Sequence, residues 1–509
     1  MVDVVFMFNI LSNVFIFTAL LLGCSGWAYY CYKKNSSLLI IPLLVVQMAL
    51  FTVFMRLASL NPDEVEHLHC AWLVGQGMLP FRDFWQHHSP FLWVFLAPLM
   101  KIMAPSAGIL EVSRCGSLAV SAVSVVIGWL IARKVWRQEA HLPTYLLMIF
   151  SAGGSAEFFV LRPDIFMTLF LLMGIYVALF ISEKGSLPAF IAGMFFAFAA
   201  SFICKQYCMA LLPPIVLLIY KRRGALCRGL LAYGAGLGIG AVPLAGYLAK
   251  NHIAKEFIAW VFVSNKERIV VNLLFPLGFL LVGGWGLWLL YRTFRRTGQA
   301  TALIFLIVFF LSTASSFTGS IFPAGGYYLQ LWFVLCAIAA SGGIFARMAD
   351  AVTPVFKKSL AIGAVFSLLI TPSAIFAYGH RHNGFACDKA AIDRLIAYSR
   401  GDSCFALLPG HPIFCHDVTR VYSPWQYARS DWYQNLRDDI KSAPVARAFF
   451  EHPPAVVIAY QNNQPILTDL FSKEFISEDD MQAMSALLES TYVLKEIGWG
   501  QYYIRKDRA

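Results

Sequence analysis

The chain has little charge. Of its 509 residues only 14% are Asp, Glu, Lys or Arg, while 59% are hydrophobic. That scarcity excludes a soluble enzyme, and the charges present collect between long apolar runs as in a polytopic membrane protein. Acidic residues are the rarer sign, 29 against 40 basic ones, for a formal net charge of +11. A basic balance can point to nucleic acid. Here Lys and Arg stand at the ends of apolar runs, where membrane orientation accounts for them, so no nucleic-acid partner is expected. Metal-type cysteine spacing is also missing. The eleven cysteines include no CxxC pair and sit mostly in apolar segments, so buried free thiols are expected and a zinc site is not. Cys404 and Cys415, in a polar tail, are free to pair if that tail faces an oxidising compartment. No internal repeat, low-complexity tract or heptad is evident, which leaves an inverted-repeat transporter without support. No basic segment precedes the first apolar stretch, so the N-terminus reads as a retained span.

The apolar runs set a topology. Lys33 and Lys34 separate runs 9–30 and 38–58; placing them in the cytoplasm puts the loop after Leu60 on the opposite side. Run 110–132 ends at Arg133, Lys134 and Arg137, again cytoplasmic. Segment 89–104 between them, broken by Pro90, Pro98 and Pro105, is therefore not a full span, and it is short for a hydrocarbon core of roughly 30 Å. Alternation continues through 142–160, 164–182, 188–204, 207–220, 229–249, 272–291, 301–317, 328–346 and 359–378, with the basic clusters on one side. The expectation is an α-helical polytopic protein of about 12 spans. Beyond 378 the composition turns mixed and polar. Asp388–Arg400 has helical periodicity, and Cys404–Leu408, Ala455–Tyr460 and Gln501–Ile504 read as strands, giving a small α/β domain on the outer face. The domains are then 1–37, an extra N-terminal helix; 38–378, the membrane domain with its first outer loop at 59–109; and 379–509, the outer α/β domain.

Two carboxylates stand where the chain leaves the membrane, in Asn61-Pro62-Asp63-Glu64. Asn61 suits a helix N-cap, Pro62 the first helical position and Glu64 the acid of a capping box. Both acids would then simply complement the positive end of an amphipathic helix whose inner face holds Val65, Leu68 and Trp72. The same placement favours an ionised carboxylate, which a base must be. Neighbours on a helix point about 100° apart, so only one of the two can face a reacting atom. Between Pro80 and Pro90 lie Arg82, Asp83, Trp85, Gln86, His87 and His88. The aromatics suit interfacial anchoring, and the paired histidines suit a surface as well as a ligand set.

Outer cations are more telling, because the charge rule depletes them there. Arg162 and Asp164, in Leu161-Arg162-Pro163-Asp164, and Lys205 fall at outer helix junctions. Charges among apolar spans are functional candidates, although Arg162 can instead pair with Asp164 or snorkel, and Lys205 can meet lipid phosphate. Tyr327 and Tyr328 follow a turn-rich outer loop. They can hydrogen-bond a sugar or phosphate, or anchor in the interface. Residues 250–271 are amphipathic and basic, suited to a lipid-headgroup entrance or to resting in the interface.

Taken in order, Asp63-Glu64, the run from Leu79 through His88-Ser89-Pro90, Arg162-Pro163-Asp164, Cys204-Lys205-Gln206, the tyrosine pair and the polar tail resemble the GT-C glycosyltransferases that use polyprenyl-phosphate sugars. The resemblance covers about residues 38–378. It is closest to the bacterial family akin to protein O-mannosyltransferases and the aminoarabinose transferase acting on lipid A. It implies a polyprenyl-phosphate-linked sugar donor, a lipid, glycan or protein acceptor, and transfer at the outer, periplasmic face of a bacterial inner membrane. It also implies Asp63 as catalytic base with Glu64 beside it. Arg162, Asp164, Lys205, Arg82, His87, His88, Tyr327 and Tyr328 are then candidates for binding the donor's phosphate or sugar. Two departures stand out. His87-His88-Ser89-Pro90 replaces the His-Lys-Pro or His-Pro-Pro of many relatives, and Tyr327-Tyr328 replaces a His-Tyr pair.

The expected reaction is an inverting sugar transfer. Asp63 takes the acceptor hydroxyl's proton, the oxygen attacks the anomeric carbon, and polyprenyl phosphate leaves against Lys205 and Arg162. A phosphomonoester leaving group needs no metal, so no cofactor is expected. The alternative is a transporter or flippase for a lipid-linked glycan, which would hold phosphate on the same cations without chemistry. Transport calls for ionisable groups near the midplane, and the polar groups here crowd the outer surface.

Overall fold

The computed structural model describes residues 60–136 except 85 and 87, short pieces between 140 and 149, 158–180, 186–202, 226–263 and isolated positions from 334 to 341. In the tail it describes 384–405, 411–417, 450–465 without 462 and 463, and 478–509 without 499. The expected spans 9–30, 38–58, 207–220, 272–291, 301–317 and 359–378 lie outside the described residues, as does most of 328–346.

Helix α1, Pro62–Gly75, starts as its sequence dictates. Asn61 is extended, its side chain accepts from the Asp63 N–H, and the Glu64 carboxylate accepts from the Asn61 N–H at 3.1 Å, completing a capping box. The helix ends before Gly77, whose φ of +91° suits a residue without Cβ. Its expected one-sidedness is not what forms. Glu64, Glu66, His67 and His69 are buried along with Val65 and Leu68, while Trp72 is only partly covered. Helix α2 (Phe91–Ile102) and the tail enclose α1, so its polar residues need partners inside the protein rather than water.

Helix α2 has 12 residues and contains Pro98, about 18 Å of helix and too short to cross. Helix α3, Gly108–Trp136, has 29 residues and is long and apolar enough to cross a membrane, as is the stretch from Cys227 in α6, Leu226–Lys250. Their outward side chains fit that solvent: Val112, Val123, Val126 and Leu130 on α3, and Leu231, Ile239 and Val242 on α6, are exposed. Cys115, Cys227 and Cys387 are exposed too, contrary to the expectation of buried thiols; Cys70, Cys404 and Cys415 are buried.

Helix α5 (Leu187–Phe202) packs against both α4 (Pro163–Ala178) and α6. The α5–α6 crossing is close because Gly193 and Gly236 have no side chain. A Cβ on Gly236 would strike the Phe190 carbonyl, and one on Gly193 the Tyr233 carbonyl. Phe166 and Phe202 stack 5.3 Å apart, and Phe91 of α2 meets Phe202 edge-on at 5.0 Å. After α6 the chain continues as α7 (Ala254–Phe257) and a π-helical turn, Ile258–Val263.

The tail begins with α8, Gly384–Ser399, and adds strands β1 (Ser403–Phe405), β2 (His416–Asp417), β3 (Val456–Gln461) and β4 (Gln464–Pro465). Helix α9 (Glu478–Thr491) leads into β5 (Tyr492–Ile497) and β6 (Gly500–Arg505). The sheet order is β2-β1-β3-β6-β5, with β4 paired to β3; β1 runs parallel to β2 and β3, and β6 antiparallel to β3 and β5. Strands form at all three predicted places: β3 and β6 differ by one residue at each end, β1 begins one residue early, and its predicted end at Leu408 lies outside the described residues. The polar helix α9 and strand β5 were not foreseen. Tail and first loop are locked together by hydrogen bonds. The Leu60 N–H donates to Asp388 Oδ2 and the Ala107 N–H to Asp393 Oδ1, both at 2.7 Å.

Candidate active site

The site grows from two helix starts built alike. Asn61-Pro62-Asp63 opens α1 and Arg162-Pro163-Asp164 opens α4, each with Pro in its first turn and an acid beside it. Arg162 lies between the two acids. Its Nε is 3.2 Å from Asp63 Oδ2 and 3.6 Å from Asp164 Oδ2. Arg162 and Asp164 are buried, whereas the Asp63 side chain keeps 28% of its surface open. Asp63 is thus the accessible carboxylate of the group.

Glu64 points elsewhere, as the 100° step requires. It is fully buried and receives two bonds from Arg114 of α3, Nε to Oε1 at 2.8 Å and Nη2 to Oε2 at 2.6 Å. Arg114 is itself fully buried and lies 4.0 Å over the Phe385 ring of α8. A buried bidentate pair of this kind holds α1, α3 and the tail in fixed relation.

One turn beyond Asp63, on the same face, His67 is buried, and burial pushes its imidazole down to about 4 while Asp63 opposes that and Arg162 reinforces it. The Trp93 Nε1–H donates to His67 Nδ1 at 3.1 Å, which needs the neutral ring. His88 meets His67 edge-on with ring centres 5.3 Å apart, and its Nε2 is 3.9 Å from Glu66 Oε1. Gln86 Nε2 donates to Glu66 at 2.7 Å, tying the 86–89 segment to α1.

Of the candidate residues, the structure brings together Asp63, Arg162, Asp164 and, through His67, His88. Glu64 is adjacent in sequence but committed to Arg114. Arg82 is mostly exposed and engaged by its neighbour Asp83 at 2.8 Å. His87, Lys205, Tyr327 and Tyr328 lie outside the described residues. Sequence reasoning missed Arg114, Glu66 and His67. Arg114 carried a usable signal, a charge within the first turns of an apolar run. His67 carried one too, its i+4 spacing from Asp63.

With this geometry in view, likenesses to known proteins become informative. Residues 87–247 match the family model described as dolichyl-phosphate-mannose-protein mannosyltransferase. No curated protein matches the chain. Among solved structures, the ArnT of Cupriavidus metallidurans bound to undecaprenyl phosphate matches with a TM-score of 0.56 and 12% identity, over 91% of this chain and 97% of that one. At that identity the likeness shows the fold. Two structures of the Archaeoglobus fulgidus oligosaccharyltransferase, one with zinc and sulfate and one apo, give TM-scores of 0.41 and 0.43 at 12% and 10% identity. They cover 70% and 73% of this chain and 55% and 58% of theirs, and carry no argument. The resemblance to GT-C glycosyltransferases, first visible in the order of a few charged and aromatic residues, therefore stands on a family match to residues 87–247 and on an ArnT-like fold along nearly the whole chain.

Proposed function

We propose that the protein is an inverting, membrane-embedded glycosyltransferase that moves a sugar from a polyprenyl-phosphate carrier to a hydroxyl acceptor at the outer face of the membrane. One observation carries the reading: Asp63 is a partly open carboxylate held by a buried Arg162 where two helix N-termini meet. Helix N-termini and a guanidinium attract a phosphate, and the open acid beside them is placed to take a proton from an acceptor hydroxyl. The family match and the ArnT fold support the same chemistry, and ArnT holding undecaprenyl phosphate supports a polyprenyl carrier.

In this mechanism Asp63 removes the acceptor proton and the freed oxygen attacks the anomeric carbon from the face opposite the phosphate. The carbon–oxygen bond to the carrier breaks, and its electrons leave on polyprenyl phosphate. Arg162 serves two ends: it fixes the Asp63 rotamer and faces the departing phosphate. Between Asp63 and Asp164 its charge is already more than neutralised, so Lys205 and His88 supply the remaining counter-charge. Glu64 acts indirectly, by anchoring the helix that carries Asp63. Bacterial inner membrane, periplasmic site and separate tail domain belong to the same proposal.

The test is transfer of radiolabelled sugar in proteoliposomes from a panel of polyprenyl-phosphate sugars to lipid, glycan and peptide acceptors. Wild type transfers one of them and Asp63→Asn does not, at unchanged melting temperature. Transfer by Asp63→Asn at the wild-type rate overturns the assignment. Movement of the lipid-linked sugar across the bilayer without transfer is the flippase outcome and overturns the enzyme reading.

A further inference from the structure

A second cluster of reactive side chains lies against α1, away from the base. Cys404 of β1, His411, Cys415 and Asp417 of β2 come from one short stretch of the tail, and His69 comes from α1. Cys404, His411 and His69 are fully buried, Cys415 is 2% exposed, and the Asp417 side chain 8%. His411 Nε2 is 3.5 Å from Cys404 Sγ and 2.9 Å from Asp417 Oδ1. The sulfurs of Cys404 and Cys415, both free cysteines, lie 2.7 Å apart. His69 Nε2 is 2.8 Å from Asp417 Oδ2, and its Nδ1 is 2.9 Å from the Ile413 carbonyl. The ligand atoms of Cys404, His411 and Cys415 all lie within 4.8 Å of one another, as do those of His69, His411 and Asp417.

The chemistry of this group is awkward without a cation. Two triads of donor atoms, Cys404–His411–Cys415 and His69–His411–Asp417, share His411 in one dry region of the protein. His69 Nδ1 must carry a proton to bond the Ile413 carbonyl, so in the neutral ring the nitrogen facing Asp417 is bare. Close lone pairs repel, and burial removes the water that would screen them. A positive ion beside His411 turns the repulsions among Cys404, Cys415, His411 and Asp417 into bonds. The Nδ1–H to Ile413 carbonyl contact fixes the His69 ring, so its other nitrogen is held against Asp417 as an outer partner of a ligand is.

We propose that Cys404, Cys415, His411 and Asp417 bind a zinc-class transition-metal ion, and that His69 orients Asp417 from α1. Two thiolates and an imidazole are soft and borderline donors, which select zinc over magnesium or calcium. Four protein ligands with no open position make the site structural rather than catalytic. Binding releases the two thiol protons to solvent. The spacing, Cys-x6-His-x3-Cys-x-Asp, lacks the CxxC half-site by which zinc is usually read from sequence. The expectation of no metal site came from that lack. The consequence is mechanical: the metal clamps the tail to the helix whose first turn holds Asp63, independently of which sugar reaction Asp63 serves.

Elemental analysis of the full-length protein, purified in detergent without chelator from zinc-replete cells, tests this directly. One zinc per chain is expected, and cobalt exchange should give a thiolate-to-cobalt charge-transfer band. The Cys404→Ser/Cys415→Ser double variant and His411→Ala should lose both signals, while His69→Gln retains metal at an affinity about 10–100-fold weaker. Wild-type protein that holds no zinc and takes up no cobalt overturns the proposal. So does recovery of Cys404 and Cys415 as a disulfide-linked peptide pair without reductant, the outcome in which the sulfurs bond to each other. Metal content is read on the wild type, so the result stands even if a variant fails to fold, and it is separate from any transfer assay.

Discussion

Asp63 and Glu64 are neighbours on one helix with opposite surroundings. Each has an arginine, yet Glu64–Arg114 is sealed and bidentate while Asp63–Arg162 is open on one side and shared with Asp164. A sealed pair has its partners satisfied and no route to a substrate. An open one has spare lone pairs and access to water. The difference teaches that an ion pair's exposure, not its presence, separates a structural acid from a candidate base.

The comparison breaks most sharply under paired substitution. Asp63→Asn should lower sugar transfer about 10²–10⁴-fold, the usual worth of a general base, with the melting temperature in detergent unchanged. Glu64→Ala should do the reverse kind of damage. It strands a buried guanidinium and costs about 3–5 kcal/mol of stability, read as loss of folded protein in size-exclusion chromatography. Removing both partners, Glu64→Leu with Arg114→Met, should restore much of that loss, because an apolar pair leaves no orphan charge. If the double variant is no better folded than Glu64→Ala alone, the pair is doing something other than satisfying itself.

Acid should expose the same contrast through His67. Burial depresses its pKa from 6.5 to about 4, so the unfolded chain binds a proton that the folded one refuses across that window. Stability is then fully present above pH 6.5 and falls as the pH drops toward 4, by roughly 3 kcal/mol in all. His67→Asn keeps an acceptor for Trp93 and cannot titrate, so its melting temperature should decline less between those pH values. An equal decline assigns the acid sensitivity to other groups. The smallest effect belongs to the cap. Asn61→Ala removes one bond to the Asp63 N–H and should cost about 1 kcal/mol, with transfer reduced only as far as Asp63 is misplaced.

Much of this architecture could be read along the chain because its causes are local. Asn61, Pro62 and Glu64 form the capping box that their order specifies, since all three partners lie within one turn. Segment 89–104 is too short and proline-broken to span, and its helix is correspondingly short. The strands around Cys404, Val456 and Tyr502 announced themselves by β-branched and aromatic runs. Helix α9 did not, because its polar sequence offers no wide apolar stripe. The expected amphipathicity of α1 failed for a related reason: a pattern shows which face prefers the core, not that the tail will cover the other face as well.

By itself, then, the sequence determined a membrane protein with charges at the ends of its apolar runs and a capped helix carrying two acids, because hydropathy and capping act over a few residues. Only the tertiary structure decided which acid is sealed and which is open. Arg114 and Arg162 reach α1 from helices far along the chain, and nothing in the Asp63-Glu64 dipeptide says which arginine each will meet. The same holds for His69 and Asp417, which are 348 positions apart in sequence and 2.8 Å apart in space. Burial sets what a charge is worth, and burial is a property of the packed whole.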